Sequence, residues 1–466
     1  MKVSPEAFTT KRADSLPPRI IGVECEYNIQ SPPGQGIGGY INDKALEAAE
    51  IPHHGYYLGT AGGRGKLYVD MGLLEYATEE RLGPASAAVA DLEGIEILSD
   101  IVDASGRPHN GLYRLAGTYI PALSVEGVPI RGRTSGYHEN YMMPQTLVDD
   151  PLMDTWVPTQ LAARSYAMNG TLYGQGYVLS QKVWGIGGPP VERTVNRRTN
   201  HGMKPMLLIP PKHMDIDTVG GHGWARAEVR FAEAGQSLVA RYAGFAAVSL
   251  ALRVMEQPHL FKYNEIRDVS LLDPVDAAKR FAADMTFSRT AETIGGKEVT
   301  ALDIQEMLLD KVAVIAERKQ LPADEYEAIN VLRALNDALR QSRPAEAVYA
   351  TNARKWIDFV ARHQFVSKNI APSLLSVTNK PAMQRNLAWD RVLPDGPGLR
   401  YWAQLSEKDL LVPRIYEHAQ RFGAASRALA RAALIDNPYS KKVVRNWSTY
   451  STGDHMRSFG SPYGKS

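Results

Sequence analysis

A single cysteine, Cys25, stands in the 466 residues, so neither an intramolecular disulfide framework nor a thiolate-rich zinc site is available to this chain. Long apolar runs are missing too. No stretch approaches the ~18 uninterrupted apolar residues a membrane helix needs, and Met1 to Arg19 lacks the apolar centre of a signal peptide. The expected location is therefore cytoplasmic, with no membrane partner. An excess of one charge is also lacking: 53 basic against 51 acidic residues leave +2, so no global field recruits nucleic acid or an anionic surface. Recognition has to be local. What remains is ordinary for a folded protein, 44% apolar and 22% charged, with length for two or three domains.

Period two marks three strands. From Ile20 to Ile29, the residues Ile21, Val23, Cys25, Tyr27 and Ile29 alternate with Gly22, Glu24, Glu26 and Asn28. Lys66 to Met71 repeats the design, with Leu67, Val69 and Met71 opposing Lys66, Tyr68 and Asp70. Arg226 to Phe231 repeats it again, Arg226, Glu228 and Arg230 opposing Ala227, Val229 and Phe231. Helical spacing is expected over 84–102, 151–168, 238–256 and 301–341, so that the second half of the chain is mainly α. The stretch Asn369–Pro381 reads as a linker. The expected organisation is a flexible arm over 1–15, a catalytic domain over 16–378 and a small C-terminal domain over 379–466.

Several motifs fail on inspection. Gly34 to Gly39 matches the glycine fingerprint of dinucleotide binding, but the strand before it carries Glu24 and Glu26 where a parallel core strand would be continuously apolar. Gly65-Lys66 lacks the Ser or Thr of a phosphate loop, and His138-Glu139 lacks the second histidine of a helical zinc motif. The carboxylates are more informative. Glu24, Glu26, Asp70, Glu75, Glu139 and Glu228 lie, with Tyr68, on or beside strands whose other face is apolar. Converging carboxylates repel unless a cation holds them, and oxygen donors without paired cysteine or histidine point to magnesium, which usually arrives with a phosphate-bearing substrate. Arg226 and Arg230 on the same face would answer phosphate charge.

Three of these segments resemble the Pup ligase and Pup deamidase (depupylase) family, relatives of glutamine synthetase. They are Arg19 to Tyr27, Lys66 to Gly72 with Glu75 to Thr78, and Ser135 to Tyr141. The resemblance implies an α+β fold: a curved, mainly antiparallel sheet packed with helices, plus a small C-terminal domain closing over the nucleotide. It implies magnesium at Glu24, Tyr68 and Glu75, Asp70 as general base, and ATP contacts from Lys66 and Thr78. Trp447 would stack near the adenine. Glu26, Glu139 and Glu228 complete the expected metal face, and Arg226 the phosphate contacts. The connection between the first two strands is short, as in the ligase branch. Lys66 stands where the family has arginine, and Glu228 where it has histidine.

The expected activity is an ATP- and magnesium-dependent carboxylate–amine ligase that joins a carboxylate substrate, small molecule or Pup-like protein C-terminus, to an amine through an acyl phosphate. The alternatives are a depupylase-type amide hydrolase that uses nucleotide as a cofactor, and a non-catalytic ATP-binding adaptor.

Overall fold

The computed structural model describes residues 15–30, 56–60, 63–70, 73–104, 111–113, 123–125, 128–130, 136–164, 167–174, 176–180, 182–193, 204–210, 223–230, 233, 235–340, 356–393, 411–422, 442–444, 449–452 and 455–458. The fold is α+β. Its main sheet is built from β1 (Ile20–Gln30), β2 (Tyr56–Thr60), β3 (Gly63–Asp70), β4 (Leu73–Ala77), β5 (Tyr137–Pro144), β6 (Val191–Glu192), β7 (Leu207–Leu208) and β8 (Trp224–Val229). These lie in the order β6-β7-β8-β5-β1-β4-β3-β2, antiparallel throughout except β6 with β7, and the sheet stays open. Short strands Arg81–Leu82 and Gly111–Tyr113 also pair with β1, which makes β1 its hub.

Alternation buries one face of this sheet. Ile21, Val23, Cys25 and Tyr27 are each at most 1% exposed, and Leu67, Leu74, Tyr76, Tyr141 and Val229 join them. Helices α1 (Pro84–Ala104), α2 (Leu152–Ala162) and α3 (Leu238–Glu256) belong to the same core. The Ser237 hydroxyl caps α3 by accepting from the Val239 and Ala240 N–H groups, and Trp156 Nε1 donates to the Ala251 carbonyl at 3.0 Å. By length and composition α3 could cross a membrane, with mean hydropathy 1.5, which qualifies the expectation that no such stretch exists. It is wholly buried and carries Arg241 and Arg253, so it is a core helix. Helices α4 (Ala301–Arg318) and α5 (Ala323–Arg340) pack behind it. Arg19, just before β1, forks onto Glu256 at the end of α3 at 2.5 and 2.8 Å.

Residues 1–14 of the expected arm and the glycine-rich stretch Gly34–Gly39 lie outside the described residues, as does Trp447, while Ser15 bridges to Gln320. Between α6 (Asp358–Ser367) and α7 (Lys380–Trp389) the chain passes through a short 3-10 turn at Pro372–Leu374. Arg362 of α6 donates to Asp390 Oδ2 at 2.6 Å and to Asn386 Oδ1 at 3.0 Å. Strand Arg391–Leu393 pairs with Gly111–Tyr113, and α8 (Leu411–Phe422) packs on α1. Among the described residues beyond 379, Lys380–Leu393 and α8 contact the main body, and Lys442–Val444, Thr449–Thr452 and His455–Ser458 form a three-stranded sheet.

Gly83, at φ +85°, precedes α1, and a Cβ there would collide with the Asp324 carboxylate. Burial, with Glu325 alongside, pushes the Asp324 carboxyl up to about 7. The folded chain then holds a proton that the unfolded chain, with an ordinary value of 3.8, releases. Stability from this group is complete below the ordinary aspartate range and is lost as pH rises through about 7. Asp324→Asn is expected to flatten the decline in urea midpoint between about pH 4 and pH 7; an unchanged slope would refute this origin.

Candidate active site on the polar face

The unburied face of the sheet is assembled by register. Glu24 pairs with Ala77 of β4 and His138 of β5, and Glu26 pairs with Glu75. Lys66 and Tyr68 of β3 stand opposite Ala77 and Glu75, and Glu228 of β8 stands opposite Asn140. Directly paired residues point to the same side of a sheet, so Glu24, Glu26, Lys66, Tyr68, Glu75, His138, Asn140, Arg226 and Glu228 share one surface. Asp70 closes β3 in register with Leu73; its side chain is not among those described.

Two groups form around β1. On the β3–β4 side, Tyr68 Oη donates to Glu75 Oε1 at 2.6 Å and the Lys66 ammonium sits 4.4 Å from the Tyr68 ring centre, while Glu26 of β1 accepts at Oε2 from the N–H of Gly136, just before β5, at 2.5 Å. On the β5–β8 side, His138 Nδ1 lies 3.4 Å from Glu24 Oε2 and 3.7 Å from Glu228 Oε1. Arg230 Nε donates to Glu228 Oε1 at 2.6 Å, and Arg226 Nη1 donates to Asn140 Oδ1 at 3.1 Å. Burial alone would raise the Glu228 carboxyl, but the charges of His138, Arg226 and Arg230 outweigh it and hold it below the usual carboxylate range. The face thus offers carboxylates, a phenol and one imidazole whose Nε2 is buried with no hydrogen-bond partner. That oxygen-rich donor set fits magnesium in chemistry. Among the described residues no three acidic or histidine groups already converge as a cage, so these donors are near neighbours rather than a finished coordination shell.

Glu139 and Thr78 correct the sequence expectation. Glu139 pairs with Val23, which turns it to the helix-packed side. There it is 3% exposed and accepts from Arg164 Nη1 and Tyr141 Oη, both at 2.7 Å. Thr78 is buried in the joint with β1: its hydroxyl accepts from the Val23 N–H at 3.0 Å and donates to the Glu79 carbonyl at 3.1 Å. Neither lies among the polar-face residues. His138 was missed, although alternation with the buried tyrosines 137 and 141 would have found it.

The family model described as Pup-ligase protein matches residues 57–451. The Pup–protein ligase of Acidimicrobium ferrooxidans is 25% identical over 386 residues, 77% of each chain, and that of Kribbella flavida is 24% identical over 427 residues, 88% of this chain and 86% of that one. The solved complex between the prokaryotic ubiquitin-like protein Pup and its ligase PafA superposes with a TM-score of 0.75 at 16% identity, covering 97% of this chain and 90% of that one. PafA in complex with ADP gives 0.68 at 16% identity, covering 99% and 96%.

Glu139 of β5 and Glu24 of β1 separate cleanly by test. Glu139→Ala leaves Arg164 buried without its carboxylate and is expected to cost about 3–5 kcal/mol in urea unfolding, whereas Glu24→Gln is expected to leave the unfolding free energy within about 0.5 kcal/mol of wild type. Equal, small losses would return Glu139 to the polar face.

Proposed function

The chain belongs to the Pup-ligase protein family, and from that premise we propose that it is an ATP- and magnesium-dependent ligase joining a substrate carboxylate to an amine. The observation that carries the reading is the open sheet face on which Glu24, Glu26, Tyr68 and Glu75 come into register around β1, with Lys66 beside them and Asp70 at the end of the same strand as Tyr68. A Pup-like protein C-terminus is the favoured carboxylate donor, since the curated relatives are named Pup–protein ligases and the solved neighbours include PafA with Pup. Nucleotide use is supported by the neighbour solved with ADP.

In this reading the substrate carboxylate attacks the terminal phosphorus of ATP, ADP leaves, and the resulting acyl phosphate is opened by the amine, so that inorganic phosphate departs and one amide forms. Glu24, Glu26, Tyr68, Glu75 and Glu228 are the residues that would hold magnesium, which would supply neutralisation of phosphate charge. Lys66, Arg226 and Arg230 hold phosphate charge from the two flanks of β1. Asp70 accepts the proton of the incoming ammonium. This matters because an amine of pKa ~10.4 is neutral in only about one molecule in a few thousand at pH 7.

Asp70→Asn is expected to bind ADP as wild type does in calorimetry and to lose turnover by at least about a hundred-fold; wild-type turnover would remove Asp70 from the base role. The direction of reaction is read from stoichiometry. A ligase releases one ADP for each amide formed, while amide cleavage without net ATP consumption would mark a hydrolase built on the same fold.

A further inference from the structure

Lys182 opens the short 3-10 turn Lys182–Gly185, off the strands that carry the polar face. Its Nζ nonetheless reaches back to the start of β5 and donates to the Tyr137 carbonyl at 2.9 Å. Gly136 and Tyr137 form a corner that grips Glu26 twice. The Gly136 N–H donates to Glu26 Oε2 at 2.5 Å, and the Glu26 N–H donates to the Gly136 carbonyl at 3.0 Å. A side chain at residue 136 would spoil the grip, because its Cβ would stand 2.7 Å from Glu26 Oε1. The ammonium therefore braces, through one carbonyl, the segment that holds Glu26.

Lys182 is itself anchored from behind. Its N–H donates to Ser180 Oγ at 3.2 Å, and the Ser180 hydroxyl donates to the Glu233 carboxylate. The other oxygen of Glu233 accepts from the Asn169 N–H at 2.9 Å, and the Asn169 side chain donates to Asp390 Oδ1 at 3.3 Å, where Arg362 also binds. A polar chain thus runs from the C-terminal helices α6 and α7 to the edge of the polar face. The local electrostatics agree with a fixed, partly dehydrated ammonium: loss of water and the nearby Lys204 bring it down to about 7, against the pull of Glu233, Glu26 and Glu139.

We propose that Lys182 is a positioning residue of the ligation reaction, bracing the Gly136–Tyr137 corner so that the Glu26 carboxylate keeps its place on the metal-binding side of the sheet. The inference rests on the reading of that face as the magnesium and nucleotide site, and it assigns a role to a residue that touches neither substrate nor metal. A lysine that merely fills space would act independently of Glu26; one that works through Glu26 cannot lose the same interaction twice.

The test is calorimetry of the full chain with ADP and magnesium chloride, on wild type, Lys182→Met, Lys182→Arg, Glu26→Gln and the Lys182→Met/Glu26→Gln double variant. Lys182→Met is expected to weaken magnesium-dependent ADP binding by about ten-fold, Lys182→Arg to stay within about three-fold of wild type, and Lys182→Met to add less than about two-fold once Glu26 is already glutamine. Wild-type binding by Lys182→Met, or losses that multiply in the double variant, would overturn the inference and leave the functional reading standing. Failure of wild type itself to take up ADP with magnesium would strike the functional reading instead. Should Lys182→Met give no folded chain by circular dichroism, Lys182→Arg decides: retained binding supports the brace, and a loss as large as that of Glu26→Gln refutes it.

Discussion

The alternation of β1 is the constraint on which the rest of the molecule depends. This strand pairs with β4, β5 and two shorter strands at once, so its parity dictates which side chains of its neighbours share a face. A slip of one residue would turn Glu24 and Glu26 into the core and expel Val23, Cys25 and Tyr27 into water. Those apolar side chains are fully buried, and each contributes roughly 1.5–3 kcal/mol relative to exposure. Two carboxylates without partners in the core would add a penalty of several kcal/mol apiece. The register is therefore stiff, and the polar face inherits that stiffness from the apolar one behind it.

The buried side holds charge as well, and four arginine–carboxylate pairs stand out there. Arg164 meets Glu139, Arg241 meets Asp91, Arg253 meets Glu325 and Arg362 meets Asp390, with every one of these side chains at most 4% exposed. Such pairs roughly break even against their own desolvation, so they say little about total stability. They do constrain arrangement. Arg241 and Arg253 of α3 reach carboxylates of α1 and α5 respectively, which ties these helices into the layer against which the sheet's apolar face rests. Geometry at the polar surface is thus specified from the far side of the sheet.

The sequence made the local parts of this legible and hid the distant ones. Period two is a nearest-neighbour property, and it revealed β1, β3 and β8 with their faces correctly separated. The same rule applied to Tyr137–Pro144 places Glu139 with the buried tyrosines and His138 with Glu24; grouping carboxylates by composition concealed this. Lys182 was opaque for a different reason. No periodicity in a short 3-10 turn announces that its ammonium will meet a carbonyl 45 residues earlier in the chain. The C-terminal region was obscured likewise, because the role of Asn386 and Asp390 exists only once Arg362 has been brought beside them.

Charge balance on the polar face follows from two of these residues together. Glu228 occupies the position where the family resemblance calls for histidine, which adds a negative charge to a surface already carrying Glu24, Glu26 and Glu75. An isolated buried carboxylate there would protonate, since dehydration favours the neutral acid. It stays ionised because Arg230 donates to it at 2.6 Å and because His138 and Arg226 stand within 3.7 Å. The His138 imidazole on the neighbouring strand faces both Glu24 and Glu228, and the arginines supply the compensating charge. A carboxylate that would be unfavourable in isolation is tolerated here because its neighbours on β5 and β8 offset its charge and keep it ionised against the cost of burial.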